Sequence, residues 1–291
     1  MLEGTHTAIV TPFRNGKVDE AALRQLVAWQ IREGVDGLVP VGTTGESPTL
    51  DFDEHIRVIE IVVQAAAGKV KVIAGTGANS THEAVELTRA AEEVGADASL
   101  QVTPYYNKPS QEGLYRHFKK IAGATRLPMI LYSVPSRCGV EIGLETCRRL
   151  ARDCRAIIGI KEAGGTPERV SQLRGMLPEK FVILSGDDSL TLPFMAVGAK
   201  GVISVASNVA PSAVARMVKA FARGKVTAAQ RLHARFYNLF KNLFIETNPI
   251  PVKAALAMMG RIREEYRLPL CEMNPTNRAK LRQTLRKLKL I

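Results

Sequence analysis

Little in this sequence ties it to a membrane, a metal or a secretory route. No apolar run approaches the ~20 residues of a membrane-spanning helix, so no membrane partner is expected. The opening stretch, MLEGTHTAIVTPF, lacks the basic and apolar regions of a signal peptide, and a soluble, cytoplasmic protein is expected. Cysteine is scarce, with four residues (Cys138, Cys147, Cys154, Cys271) and no CxxC pair. Free thiols are the default for such a pattern, and it argues against a zinc site. Cys147 and Cys154 stand seven apart and are expected on one face of a helix. The five histidines (His6, His55, His82, His117, His233) form no HxH or HExxH pattern, so no metal is expected. Gly75-Thr-Gly77 is a bare GxG, and GTTGES lacks the lysine of a phosphate-binding loop. Both argue against nucleotide binding.

What is present is apolar and basic. The 291 residues are 46% hydrophobic, enough for a large core in one or two domains. The net charge is +12, and residues 261–291 hold nine Lys/Arg against three acids, half of that excess. In this tail Leu281, Leu285 and Leu288 recur at helical spacing, which fits an amphipathic helix with a solvated basic face rather than a nucleic-acid-binding arm.

Eight short apolar runs recur: 5–10, 37–41, 70–75, 98–102, 128–132, 156–160, 181–185 and 201–205. Segments of helical periodicity separate them. Ala84, Leu87, Ala91 and Val94 make one stripe over 81–94, opened by a capping box at Ser80 and Glu83 and stopped by Gly95. Similar helices fit 19–33, 51–67, 111–124, 143–153, 167–177, 188–197 and 211–223. Near-continuous apolar strands suit a parallel sheet covered on both faces. Eight alternations predict a (β/α)₈ barrel over 1–223. A doubly wound sheet is the runner-up, but TPFRNG stands where its glycine-rich turn would follow the first strand. Helices at 227–246, 251–259 and 275–289 predict a C-terminal helical domain over 224–291 that packs on the barrel.

The sixth run, AIIGI, ends abruptly in Lys161-Glu162. A strand end meeting solvent would tolerate a lysine. In a barrel, however, the segments after the strands form the active site, which places Lys161 in that ring. A lysine in a dry barrel mouth tends to lose its proton, and its free amine can form a Schiff base with a carbonyl. Tyr132, ending the neighbouring strand, and Thr43 could relay protons. The backbone N–H groups of GTTGE could hold a carboxylate. Each has a plainer reading: Tyr132 as a half-buried barrel residue, Thr43 as a turn residue. Asp187-Asp188 suit either a cation or a helix N-terminus.

With these residues placed, VGTTGES (41–47), AGTGAN (74–79), VTPYYNKPSQEG (102–113), YSVPSR (132–137), IIGIKEA (157–163), LSGDD (184–188), GVISV (201–205) and NPIPVK (248–253) follow in one order. In that order the chain resembles the dihydrodipicolinate synthase branch of the pyruvate-dependent class I lyases, the family that includes N-acetylneuraminate lyase. The resemblance spans essentially the whole chain. It implies condensation of pyruvate with L-aspartate 4-semialdehyde in lysine and diaminopimelate biosynthesis. No cofactor is implied beyond a covalent pyruvate adduct on Lys161. By the same resemblance Tyr132, Thr43 and Tyr106 form a proton relay, and the Thr43 and Thr44 amides hold the pyruvate carboxylate. The Ile203 carbonyl orients the site, and Arg137 binds the semialdehyde carboxylate. Tyr106 entering a neighbouring subunit implies a homodimer, usually paired into a homotetramer. An L-lysine effector site is implied at Ser47, Pro48, Phe52, His55, Asn79, Glu83 and Tyr105. Phe52 and Pro48 depart from the His and Ala common in lysine-sensitive bacterial members, which predicts weak inhibition or none. Ser133 replaces the family's usual asparagine and, with Gly164-Gly165, is also similar to 4-hydroxy-2-oxoglutarate aldolases. Cleavage of a hydroxy-oxo acid is therefore one alternative, and a non-catalytic barrel binding a 2-oxo acid is another.

Overall fold

The structure, a computed structural model, describes residues 2–291. The eight apolar runs become the strands of a closed barrel: β1 (Gly4–Thr7), β2 (Gly37–Leu38), β3 (Lys71–Gly75), β4 (Ala98–Val102), β5 (Met129–Ser133), β6 (Ile157–Glu162), β7 (Val182–Ser185) and β8 (Gly201–Ser204). Neighbours pair in parallel in chain order, and β8 closes onto β1. A small hairpin, Phe13–Arg14 with Lys17–Val18, follows β1.

Helices α1 (Glu20–Arg32), α2 (Phe52–Ala66), α3 (Thr81–Glu93), α4 (Gln111–Ala122), α5 (Leu144–Asp153), α6 (Pro167–Met176), α7 (Thr191–Ala196) and α8 (Pro211–Ala222) alternate with the strands. Their starts carry local signals. Asp51 caps α2 through the Glu54 N–H at 2.8 Å, Ser110 caps α4, and proline opens α6 and α8. The chain then adds α9 (Val226–Asn242), α10 (Ile250–Met258) and α11 (Pro275–Lys287).

The core has two layers, as a filled barrel requires. One lies inside the barrel and includes Val39, Ile73, Leu100, Ile130, Leu184 and Ile203. The other lies between strands and helices. It runs without a break into Phe236, Leu239, Leu256, Leu281 and Leu285, so the C-terminal helices share the barrel's outer core. On α11 the buried Leu281 and Leu285 face inward, while Arg282, Arg286 and Lys287 lie on the outer surface.

Three expectations need correction. Cys154 lies past the end of α5 in extended backbone, so Cys147 and Cys154 do not share a helix. The helix expected from 188 begins at Thr191, because Asp187 first turns the chain by accepting from the Ser189 and Leu190 N–H groups. The helix expected to reach 246 ends at Asn242, and the loop that follows runs into the barrel mouth.

Candidate active site

Lys161 and Tyr132 are direct register partners on β6 and β5. Successive side chains of a strand point to opposite faces, so both enter the barrel while Glu162 leaves it. Lys161 is 7% exposed, and its Nζ lies 4.0 Å from the centroid of the Tyr132 ring. It makes no ion pair among the described residues. Its neighbour Glu162 is committed to the outer face, where Arg169 Nε donates to it at 2.9 Å and Gly164 N–H at 2.6 Å. Burial pushes the Glu162 carboxyl up, and Arg169 opposes that shift. The adjacent Lys-Glu pair is therefore split, with the amine inside the barrel and the carboxyl outside it. Gly186 makes room for the lysine: a Cβ there would sit 3.2 Å from Lys161 Cε and 2.7 Å from Ala163 Cβ.

Thr43 and Thr44 begin a single 3-10 turn, Thr43–Gly45, after β2. Gly45 N–H donates to Gly42 and Glu46 N–H to Thr43, which leaves the Thr43 and Thr44 N–H groups without backbone partners. The turn is strained at both ends, with Val41 at φ 48° and Glu46 at φ 56°. Surrounding groups hold it there. Glu46 is fully buried and paired with Lys253 of α10, whose ammonium lies 4.3 Å from the Phe13 ring centroid. Asn248 Nδ2 donates to Thr44 Oγ1 at 3.0 Å. Arg137 stands on the short helical turn Pro135–Cys138, and its Nη2 donates to the Asn248 carbonyl at 3.1 Å.

A cavity of about 240 Å³ brings Thr43, Thr44, Tyr132, Arg137, Lys161 and Asn248 together. A second, of about 200 Å³, shares Thr43, Tyr132 and Arg137 and adds Ser47, Pro48 and Tyr105. Those last three also line a third cavity of about 170 Å³ with Phe52, His55 and Glu83. Asn79 is not in that lining but donates to the Tyr105 carbonyl at 3.3 Å. His55 Nε2 is engaged by the Gly75 carbonyl at 2.7 Å, and burial lowers its pKa. The Glu83 N–H reaches Ser80 Oγ at 3.5 Å, and the Glu83 side chain faces the cavity instead of closing a capping box.

Two expected site residues stand apart. Ile203 is buried in the inner barrel layer and does not line the cavities, whereas Val205, two residues on, does. Tyr106 is 91% exposed at φ 71° and lines none of these cavities. Three residues were missed, and a fourth was misread. Asn248, Lys253 and Glu46 fell within quoted motifs, but nothing local marked their contacts. Asp188 is not a helix-start acid: it is buried and accepts from Ser204 Oγ and the Val205 and Ala206 N–H groups, which fixes the end of β8. Burial pushes its carboxyl up to about 6.

A closed eight-stranded barrel holding an unpaired lysine beside a tyrosine defines a lysine-centred barrel enzyme. Residues 1–288 match the model of the Dihydrodipicolinate synthetase family, and the chain belongs to that family. It is 54% identical over 291 residues to the 4-hydroxy-tetrahydrodipicolinate synthase of Thermodesulfovibrio yellowstonii, covering 100% of both chains. The solved 4-hydroxy-tetrahydrodipicolinate synthase of Methylacidiphilum fumariolicum is 53% identical with a TM-score of 0.98, covering 99% of this chain and 96% of that one. The chloride-inhibited dihydrodipicolinate synthase of Acinetobacter baumannii, solved with pyruvate, is 46% identical with a TM-score of 0.97, covering 100% of both.

Proposed function

We propose that this chain is a lyase that condenses pyruvate with L-aspartate 4-semialdehyde to give 4-hydroxy-tetrahydrodipicolinate. The observation that carries this reading is the Lys161–Tyr132 pair, facing inward into a cavity that Thr43, Thr44 and Arg137 also line. Lys161 Nζ attacks the pyruvate carbonyl carbon and water leaves, with Tyr132 as the proton donor. The iminium then releases a C3 proton, and the enamine attacks the aldehyde carbon of the second substrate. The amine of that substrate displaces Lys161 and closes the ring. No cofactor takes part. The free Thr43 and Thr44 N–H groups and the Thr44 hydroxyl suit the pyruvate carboxylate, and the Arg137 guanidinium suits that of the semialdehyde. Ile203 supports the barrel wall beneath Val205.

Tyr106 completes the relay from a neighbouring subunit. Its exposure and its strained backbone favour a role outside its own chain, and hence a homodimer, paired into a homotetramer. The third cavity is the L-lysine site, weakened by Phe52, which is 47% exposed and offers an apolar ring where a polar contact is needed. The segments 1–223 and 224–291 act as one unit, since the second supplies Asn248 and Lys253 to the first.

The Ser133 departure does not favour the aldolase alternative. Ser133 lies on the outer face of β5, where its Oγ accepts from the Ile142 N–H, and Gly164 binds Glu162 behind the site. Parallel assays decide the matter: condensation with L-aspartate 4-semialdehyde against cleavage of 4-hydroxy-2-oxoglutarate. Faster condensation is expected; faster cleavage would overturn the assignment.

A further inference from the structure

One polar group in the cavity has no use in the scheme above. Asn248 is 5% exposed and lines the chamber with Lys161 and Arg137. Its Nδ2 donates to Thr44 Oγ1, and its backbone carbonyl accepts from Arg137 Nη2. Its Oδ1 is buried and has no hydrogen-bond partner. A buried acceptor left unpaired is unfavourable and uncommon, and it marks a place for a donor that arrives with a ligand.

The neighbours narrow that donor. Because Nδ2 donates to Thr44, the Thr44 hydroxyl is free to donate its own proton into the cavity. Thr44 and Arg137 both offer donors to carboxylates, and Oδ1 is an acceptor on the residue bonded to both, through its side chain to Thr44 and its backbone to Arg137. An α-amino acid carries its ammonium and its carboxylate on one carbon. A substrate that places its carboxylate on Arg137 thus brings its ammonium close to the residue Arg137 is bonded to. The rival acceptor is Asp187, which lines the same chamber. Its Oδ1 is already taken by the Ser189 N–H, the Ser189 hydroxyl and the Leu190 N–H, which leaves Asp187 Oδ2 as the competing oxygen that the Asp187→Asn variant tests. A neutral amide oxygen also recognises an ammonium without adding negative charge to a site that must hold two carboxylates.

We propose that Asn248 sets the specificity for the second substrate, its free Oδ1 accepting an N–H from an ammonium on the same carbon as the carboxylate bound by Arg137. This inference rests on the assignment of Lys161 and Arg137 made above, and it reaches beyond that assignment to the discrimination between amino and deamino aldehydes.

The experiment uses the full-length enzyme, L-aspartate 4-semialdehyde as substrate, and 4-oxobutanoate, which lacks the ammonium, as competitive inhibitor. In Asn248→Ala the KM for the semialdehyde should rise roughly ten- to a hundred-fold, the range for losing a hydrogen bond to a charged group. The Ki for 4-oxobutanoate should stay close to that of the unaltered enzyme. Asn248→Asp keeps an oxygen acceptor and should retain the discrimination. The KM-to-Ki ratio does not depend on the fraction of enzyme that is folded. Equal changes in KM and Ki would show that Asn248 only supports the wall, and would overturn the proposal. Discrimination lost in Asp187→Asn and kept in Asn248→Ala would overturn it in favour of Asp187. Borohydride trapping with pyruvate is run alongside: failure of the unaltered enzyme to form an adduct would sink the Lys161 assignment itself, a result separate from either.

Discussion

Replacing Lys253 by methionine tests how far the C-terminal helices hold the catalytic turn. Lys253 and Glu46 form an ion pair in which both side chains are fully buried. Lys253→Met keeps the length and loses the charge. It leaves the Glu46 carboxylate with one weak contact, the Arg267 N–H at 3.4 Å. Breaking a buried pair by removing one partner costs about 3–5 kcal/mol, because the remaining charge stays desolvated. At roughly 2–4 °C per kcal/mol for a chain of this class, the apparent melting temperature should fall by about 6–20 °C. Glu46 closes the turn that carries Thr43 and Thr44, so the KM for pyruvate should rise as well. Adding Glu46→Gln removes the stranded charge. The double variant should therefore be more stable than the sum of the two single losses implies. Thermal scans of the four proteins at one protein concentration measure this. A Lys253→Met variant that melts within a degree or two of the parent, or strictly additive losses, would refute the reasoning.

Tyr132→Phe keeps the ring beside Lys161 Nζ and loses the phenol, so kcat should fall by roughly 10²–10⁴ in a steady-state assay. Phe52→His should tighten inhibition by L-lysine, read as a lower half-inhibition concentration, and no change would remove the third cavity from consideration. Acid stability should respond to His6 and His117, whose pKa values burial lowers to about 4. Between pH 6.5 and 4 the unfolded chain binds protons that the folded one refuses, so stability is lost as pH falls through that window. Asp188, raised to about 6, acts in the opposite sense, since the folded chain retains a proton the unfolded one releases. Two histidines outweigh one carboxyl, and His117→Gln should flatten the acid side of a melting-temperature profile.

The strands were legible because a parallel barrel buries both faces, so each strand is a contiguous apolar run. Their ends were less so. The first run is apolar through Val10, but β1 stops at Thr7, where its pairing with β8 ends. Lys161 stood out because it breaks an apolar run, and Tyr132 because it ends the run before. The opposite destinies of Lys161 and Glu162 follow from the period of two, once one of them is fixed to a face. The contacts of Asn248 and Lys253 were invisible because no periodicity or composition spans the 204 and 207 residues to Thr44 and Glu46. Tyr106 was singled out through resemblance alone. Nothing in its immediate sequence announces a left-handed tyrosine.

The proposed chemistry turns on a covalent bond at one lysine. Borohydride added with pyruvate, followed by digestion and peptide mass mapping, reads that bond directly. The adduct is expected on the peptide containing Lys161 and should be absent in Lys161→Ala, which should also lose nearly all turnover. No adduct under turnover conditions, or an adduct on another lysine such as Lys253, would contradict the central claim.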